Sequence, residues 1–429
     1  MGESGIWLRA ICAGGCGDGP LPCSPVRIVY SYDTAIPDTG ADTEQVVNTV
    51  AALARHGESL TLLVPGVRAG SGDASLIRDY YHVQGDFDIE QLRRGAGPRL
   101  FQKWSHALHA PRHPAVAAAD LAYTRNLPGA WCLLRAGRRV AYEHFRPWGD
   151  QIPPLQPALR AILRHPNLVA AVFHSQHTLA SYHRLGVPDD RMLVAHNGWD
   201  PARMEPRLSV AEARAKLGLA PERQTAVYTG RLNLRKGLDV ILAAARLAPE
   251  IAFVLVGSEG EGPVEVSARA LGNVKVVAWR PFAELAPWLY AADVLLIPPS
   301  LAPLERHGNT VLPLKLFQYL AAGRVVLAPR APDTAELLSD GENAVIVPPG
   351  DAAELVATLR RLAAAPELAR RLAEGARRSA EGLTWDARAG RIMAFLQQRL
   401  AAPASRPGPD PWRAPAWLRE TARWALWLS

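Results

Sequence analysis

Two cations stand where a phosphate could be held. In 229-TGRLNLRKG-237 an apolar stretch ends at Thr229 and Gly230, and Arg231 and Lys236 follow just beyond it. Placed after a strand, both charges can converge on one anion, and the segment itself holds no acidic residue to neutralise them. A second turn, 257-GSEGEG-262, follows the apolar run that ends at Val256, and the missing side chain at Gly257 lets a ligand approach the backbone. A third segment, 308-GNTVLPLKLFQYLAAG-323, reads as a helix with Pro313 near its first turn and Gly323 at its stop. Lys315 then opposes the helix macrodipole, a conflict that a bound anion removes, and phosphate is the expected anion. In a fourth segment, 333-DTAELLSDGENAVIVPPGD-351, Glu336 begins a short helix beside the same edge.

These loops need strands to carry them. The first strand is 27-RIVYSY-32; a helix follows from Asp42 with Val46, Val50, Leu53 and Ala54 on one face, Gly57 stops it, and 60-LTLLV-64 completes a strand, helix, strand unit. The handedness rule makes such a pair parallel. Further apolar runs occupy 119–125, 138–144, 168–175 and 191–198, and runs of this kind suit a sheet covered on both faces. Residues 200–224 are polar and contain proline, as a linker with a short helix at 210–218 would be. A second alternation then places strands at 225–230, 252–257, 274–279, 293–298, 324–329 and 344–349, with helices around 237–249, 282–291, 313–322, 333–339 and 352–364. This predicts an α/β chain of two doubly wound sheets: a leader over 1–25, a first Rossmann-like domain over 26–199, the linker 200–224, and a second Rossmann-like domain over 225–384. The helix 385–402 closes the fold with Ile392, Phe395, Leu396 and Leu400 at helical spacing, and 403–429 forms a tail.

Composition bounds the partners. A chain of 429 residues exceeds one ordinary core, and 48% hydrophobic with 21% charged residues is a globular balance. The net charge of +7 suits nucleic acid, an anionic membrane or a phosphorylated substrate, although Arg-rich helical faces such as 369–378 carry part of it, and no nucleic-acid partner is expected. Cys12, Cys16 and Cys23 lie in a Gly- and Pro-rich leader read as disordered, and only Cys132 lies in a folded segment. That pattern gives no disulfide framework or zinc set and fits a reducing cytoplasm. Arg9 interrupts the leader's short apolar run, which makes it a poor secretory signal, and no stretch approaches 18 uninterrupted apolar residues. In the tail, Trp417, Thr421, Trp424 and Leu428 share one helical face with arginines nearby. Two readings stay open for 416–429: peripheral contact with the inner face of the cell membrane, or packing against the body or another subunit.

The series TGR(x)4KG, the Gly257 loop, 293-DVLLIPPS-300, 318-QYLAAGRVVLAP-329 and 336-ELLSDGENAVIVPPGD-351 resembles, in order and spacing, the second domain of the retaining glycosyltransferases of family four, the glycosyl transferases of group 1, which have the two-domain GT-B fold. In the first domain the loop at Thr39, Gly40 and Ala41 resembles that family's acceptor-side loop, 142-YEH-144 its strand-end histidine, and 196-HNGWD-200 the start of its interdomain linker. The resemblance implies that Arg231 and Lys236 grip a donor diphosphate, that a helix beginning near Asn309 and Thr310 directs amides at it, and that His144 reaches the donor sugar. It also implies that Gly230, Gly257, Lys315, Gln318 and Glu336 complete the donor site. One departure stands out: the family carries two Glu residues flanking seven others, and the matching positions here are Thr310 and Gln318, with Glu305 a few residues earlier. Gln318 can still accept a hydrogen bond from a ribose hydroxyl, without a charge. His174, His177 and His196 read as structural.

The expected function is transfer of a hexose-type unit from a nucleoside diphosphate sugar, such as a UDP-sugar, to an acceptor hydroxyl, with retention as the resemblance implies. The acceptor would be a glycan or lipid-linked molecule, as in polysaccharide synthesis at the cell envelope. No DxD-type metal site is seen near the cations, which themselves occupy the place of a metal, so neither metal nor cofactor is expected beyond the sugar nucleotide. Three alternatives remain: a non-catalytic nucleotide-sugar-binding or assembly protein, an epimerase of the same architecture, and a dehydrogenase, which the missing GxGxxG disfavours.

Overall fold

The computed structural model describes residues 25–67, 73–92, 97–298 and 312–401. The readings made for the leader before Pro25, for Glu305, Asn309 and Thr310, and for the tail helix lie outside the described residues.

The first lobe is built on seven parallel strands: β1 Arg27–Ser31, β2 Ser59–Val64, β3 Asp88–Gln91, β4 Leu121–Thr124, β5 Val140–His144, β6 Leu168–Phe173 and β7 Met192–Val194, in the order β3-β2-β1-β4-β5-β6-β7. The second holds six: β8 Thr225–Thr229, β9 Ala252–Ser258, β10 Val274–Ala278, β11 Val294–Leu296, β12 Val325–Pro329 and β13 Val345–Val347, in the order β10-β9-β8-β11-β12-β13. The strand order reverses beside β1 and again beside β8, so each sheet opens a crevice at its carboxyl edge where β1 meets β4 and where β8 meets β11.

Alternation along β1 shows why the runs are apolar throughout. Ile28 and Tyr30 enter one core with Val50 and Leu62, whereas Val29 enters the opposite core with Ala122 and Tyr142. Both faces are covered by helices, so neither parity can be polar. Burying each large aliphatic or aromatic side chain stabilises the fold by roughly 1.5–3 kcal/mol, so these cores outweigh the surface ion pairs.

The helix Trp385–Ala401 returns from the second lobe to the first. Its Trp385, Ala389, Ile392, Met393 and Leu396 join the core that holds Ile28 and Tyr30. Its Arg388 is buried there with 1% of its surface exposed.

The structure departs from the sequence reading in two places. The segment 67–88, to which the sequence reading gave no strand or helix, contains the helix Ala74–Tyr81 and leads into β3. β3 escaped notice because Asp88, Glu90 and Gln91 are exposed in an edge strand that needs no apolar run. The helix read over 313–322 runs from Leu314 to Ala322, after Pro313 in extended conformation at its N-cap. Proline fixes that start because it cannot donate the hydrogen bond that would continue the helix backwards.

Candidate active site

The loops after β8 and β9 meet backbone to backbone. Gly230 and Gly257 have φ of +130° and +128°, and the Gly230 amide donates to the Val256 carbonyl at 2.8 Å. A methyl group at Gly257 would stand 2.3 Å from the Gly230 carbonyl oxygen, and one at Gly230 2.8 Å from Lys315 Nζ. Both glycines are therefore required by geometry. Gly257→Ala is expected to cost about 1–3 kcal/mol through strain alone and to displace the Gly230 loop; a lower Tm together with lost nucleotide binding in a thermal-shift titration checks this, and unchanged binding contradicts it.

Lys315, the second residue of the helix Leu314–Ala322, lies half-buried with Nζ 3.7 Å from the centre of the Tyr228 ring. Burial, and then Lys236, push its pKa well below the ordinary lysine value. Lys236 keeps solvent access, but the protein around it lowers its pKa, and Arg146 and Arg231 lower it further. An anion in this place relieves both lysines. Gln318, on the same helix, is 6% exposed, and its Oε1 is buried without a hydrogen-bond partner among the described residues. A buried acceptor left open in this way calls for a bound donor group.

Arg231 has the acidic partner its own segment lacks. Its Nε lies 3.2 Å from Glu259 Oε1, in the loop after β9, and its Nη2 donates to Thr39 Oγ1 at 3.2 Å. Thr39 also donates to Glu259, so the loop before the helix Ala41–Arg55 in the first lobe touches Arg231 and Glu259 of the second. Gly40 precedes the helix Ala41–Arg55 with an ordinary φ of −68°; a side chain there would meet the carboxylates of Asp38 and Asp42.

Glu336 also spans the lobes. It accepts from the amides of Gln176 and His177 at 2.8 and 2.7 Å, at the start of the helix Gln176–His183, and lies 3.0 Å from His196 Nε2. Burial opposes its ionisation, but the hydrogen bonds from His196 and the two amides hold its pKa below the usual carboxylate range. This residue therefore ties the second lobe to the first through a charge at a helix N-terminus.

His144 ends β5 beneath the cleft, 1% exposed, with Nδ1 2.6 Å from the Tyr182 hydroxyl and 2.9 Å from the Arg146 carbonyl. Burial pushes its pKa down to about 3, so it is neutral at pH 7. Glu143 beside it faces the opposite way into a buried network: Gln45 Nε2 and His174 Nε2 each approach its Oε1 to 2.5 Å and Arg388 Nη2 to 2.7 Å. Asn197 Nδ2 lies 3.3 Å from His174 Nδ1. Burial lowers the His174 pKa to about 4, which keeps the ring neutral and lets Nε2 donate to the carboxylate. His174 and His196 are thus held in hydrogen bonds within and between the lobes.

Two cations escaped the sequence reading, although they carry the signal that singled out Arg231. Arg125 and Arg146 each stand just past an apolar strand, β4 and β5, at the carboxyl edge of the first sheet. Among the described residues no group of three or more His, Cys, Asp or Glu side chains is placed to hold a metal ion. None of the described helices is long and apolar enough to cross a membrane. A cavity of about 870 Å³ opens beside Glu259, walled by Val274, Val276, Ala278 and Trp279.

Residues 223–365 match the family described as glycosyl transferases, group 1. The chain is 31% identical over 218 residues to a D-inositol 3-phosphate glycosyltransferase of Streptomyces bingchenggensis, covering 47% of this chain and 46% of the relative. It is 30% identical over 230 residues to the protein of that name from Thermomonospora curvata, covering 48% and 52%. The chain thus spans about half the length of the curated relatives it matches. Among solved structures, a sucrose-phosphate synthase of Thermosynechococcus elongatus superposes with a TM-score of 0.71 at 21% identity, over 88% of this chain and 99% of that one. HepE of Anabaena in complex with UDP-glucose superposes with a TM-score of 0.62 at 17% identity, over 86% and 99%. These likenesses establish a common fold.

Proposed function

We propose that this chain, whose residues 223–365 belong to the group 1 glycosyl transferases and whose two lobes share the GT-B architecture, transfers a sugar from a nucleoside diphosphate sugar to an acceptor hydroxyl. The observation that carries the proposal is the donor floor: two glycines in backbone contact, flanked by Arg231, Lys236 and Lys315, with the first lobe facing them. When the bond between sugar and diphosphate breaks, negative charge grows on the leaving diphosphate. Cations already fixed at that place stabilise the transition state more than the ground state.

Gln318 Oε1 supplies the acceptor for a ribose hydroxyl, and the apolar walls at Val276, Ala278 and Trp279 suit the nucleoside. UDP is the first nucleotide to test, because HepE was solved with UDP-glucose. His144, neutral and beneath the cleft, acts as a positioning residue that fixes the Arg146 backbone and the floor under the sugar. The three cations fill the role of a divalent metal at the diphosphate, so transfer proceeds in the presence of EDTA. Retention at the anomeric carbon and a glycan or lipid-linked acceptor follow from the family resemblance.

A thermal-shift screen against UDP, GDP, ADP, CDP, their sugar conjugates and NAD, with EDTA present, tests the reading. Stabilisation by one nucleoside diphosphate series, abolished in Arg231→Ala/Lys236→Ala, is expected. Stabilisation by NAD alone, or by nothing in a folded protein, contradicts it. Product analysis with a binding donor then separates transfer from epimerisation and from binding without turnover.

A further inference from the structure

Two contacts join the lobes at the carboxyl edges of their sheets. The loop after β1 meets the loops after β8 and β9, where Thr39 Oγ1 lies 3.2 Å from Arg231 Nη2 and 3.3 Å from Glu259 Oε1. The helix start after β6 meets the turn after β12, where Glu336 accepts from the Gln176 and His177 amides. In the first sheet β4 and β5 lie between β1 and β6, and in the second β11 lies between β8 and β12. The carboxyl end of β5 therefore stands between the two contacts and faces the crevice at β8 and β11, beside which Arg231, Lys236 and Lys315 are carried.

Arg146 is held at that end. Its amide donates to His144 Nδ1 at 3.4 Å, and its guanidinium carbon stands 5.4 Å from the centre of the Phe145 ring. Stacking on a ring fixes a guanidinium without neutralising it. The Arg146 Nε is buried and has no hydrogen-bond partner among the described residues. Burial, and then Arg125, push its pKa below the ordinary arginine value, and no carboxylate among the described residues offsets them. The effect crosses the cleft: burial, then Arg146 and then Arg231 lower the pKa of Lys236, and burial and then Lys236 lower that of Lys315. Four cations from two lobes thus act on one another, and among the described residues only Glu259, on Arg231, forms an ion pair with any of them. Like charges gathered in this way oppose one another until an anion enters.

We propose that Arg146 is a fourth ligand of the donor diphosphate, supplied by the first lobe, so that the leaving group is gripped from both sides of the cleft. A guanidinium there adds a charge-assisted hydrogen bond where negative charge grows as the sugar departs. It also gives the neutral His144 a task, since the ring that receives the Arg146 amide sets the direction of the side chain. The inference rests on the glycosyltransferase reading for the word donor, whereas a diphosphate site shared between the lobes does not.

The test is calorimetric titration of the full chain with inorganic pyrophosphate in EDTA, a probe that does not depend on the nucleobase. Binding is expected, and it should weaken by about ten-fold or more in Arg146→Gln. Arg146→Lys, which keeps the charge and loses the planar fork, should fall between Arg146→Gln and the wild type. Tm of both variants should stay within a few degrees of the wild type, on the order expected where no hydrogen bond or ion pair is broken. Pyrophosphate affinity unchanged in Arg146→Gln, while Arg231→Ala/Lys236→Ala abolishes binding, overturns the inference and leaves the glycosyltransferase reading standing. Equal losses in Arg146→Lys and Arg146→Gln together with a lower Tm mark a packing role and overturn it too, as does a folded wild type that binds no pyrophosphate. Arg146-dependent pyrophosphate binding in a chain that transfers sugar from no nucleotide sugar instead removes the glycosyltransferase reading and leaves the shared diphosphate site.

Discussion

Arg231→Ala lowers the rate of sugar transfer by about 10²–10³ fold at saturating donor, equivalent to about 3–4 kcal/mol of barrier. The effect is large because two changes coincide. A cation is removed from the leaving diphosphate, and Glu259, which Arg231 holds at 3.2 Å, becomes an unopposed carboxylate beside the same phosphates. Arg231→Ala/Glu259→Gln should therefore recover part of the loss, although it restores no positive charge. Lys236→Ala removes charge without freeing a carboxylate and should fall between the two. Release of nucleoside diphosphate, followed with a saturating acceptor, reads all three. A wild-type rate in Arg231→Ala, or a double variant slower than the single one, removes Arg231 from the proposed role.

Arg388→Met destabilises the chain by about 3–5 kcal/mol and lowers Tm by roughly 10 °C. Arg388 and Glu143 are each 1% exposed, and the arginine also donates to Thr49 Oγ1 at 3.0 Å and the Ala195 carbonyl at 3.3 Å. Removing it leaves Glu143 ionised in the core with only neutral hydrogen-bond partners, Gln45 and His174. Arg388→Met/Glu143→Gln should cost less than Arg388→Met alone, because the stranded charge is gone. The same pair sets a pH dependence. Burial opposes ionisation of Glu143, but Arg388 and the His174 hydrogen bond hold its pKa well below the ordinary Glu value of 4.5. A depressed folded pKa gives stability that is present above the unfolded pKa and lost as pH falls towards the folded one. Tm should thus decline steeply below about pH 4.5 in the wild type and less steeply in Glu143→Gln. Parallel pH profiles would show that other carboxylates govern acid unfolding.

The consequence reaches the cleft. Arg388 lies on the helix that returns from the second lobe, Glu143 adjoins His144, and Gln45 of the same network holds Arg125. The closing helix therefore supports the strand ends at His144 and Arg125 as well as the first core.

What the sequence by itself determined was periodic and local. Apolar runs at parallel-strand length separated by helical stretches specified two doubly wound sheets, because a strand covered on both faces must be apolar at every position, as all six residues of β6 are. That architecture in turn located the candidate loops at strand ends, among them those at Gly230 and Gly257, where the structure then brings backbone against backbone. β3 and the helix Ala74–Tyr81 were not legible, since an edge strand and a half-exposed short helix carry too few apolar residues to mark a period.

Only the tertiary structure decided where charges find partners. Glu259 meets Arg231 from 28 residues away and Thr39 meets it from 192, Glu336 reaches the amides of Gln176 and His177 in the other lobe, and Arg388 meets Glu143 across 245 residues. Hydrophobic burial is written along the chain because each element must present its own apolar face to a core. Electrostatic pairing depends on which side chains packing brings within a few ångströms and how far it removes them from water.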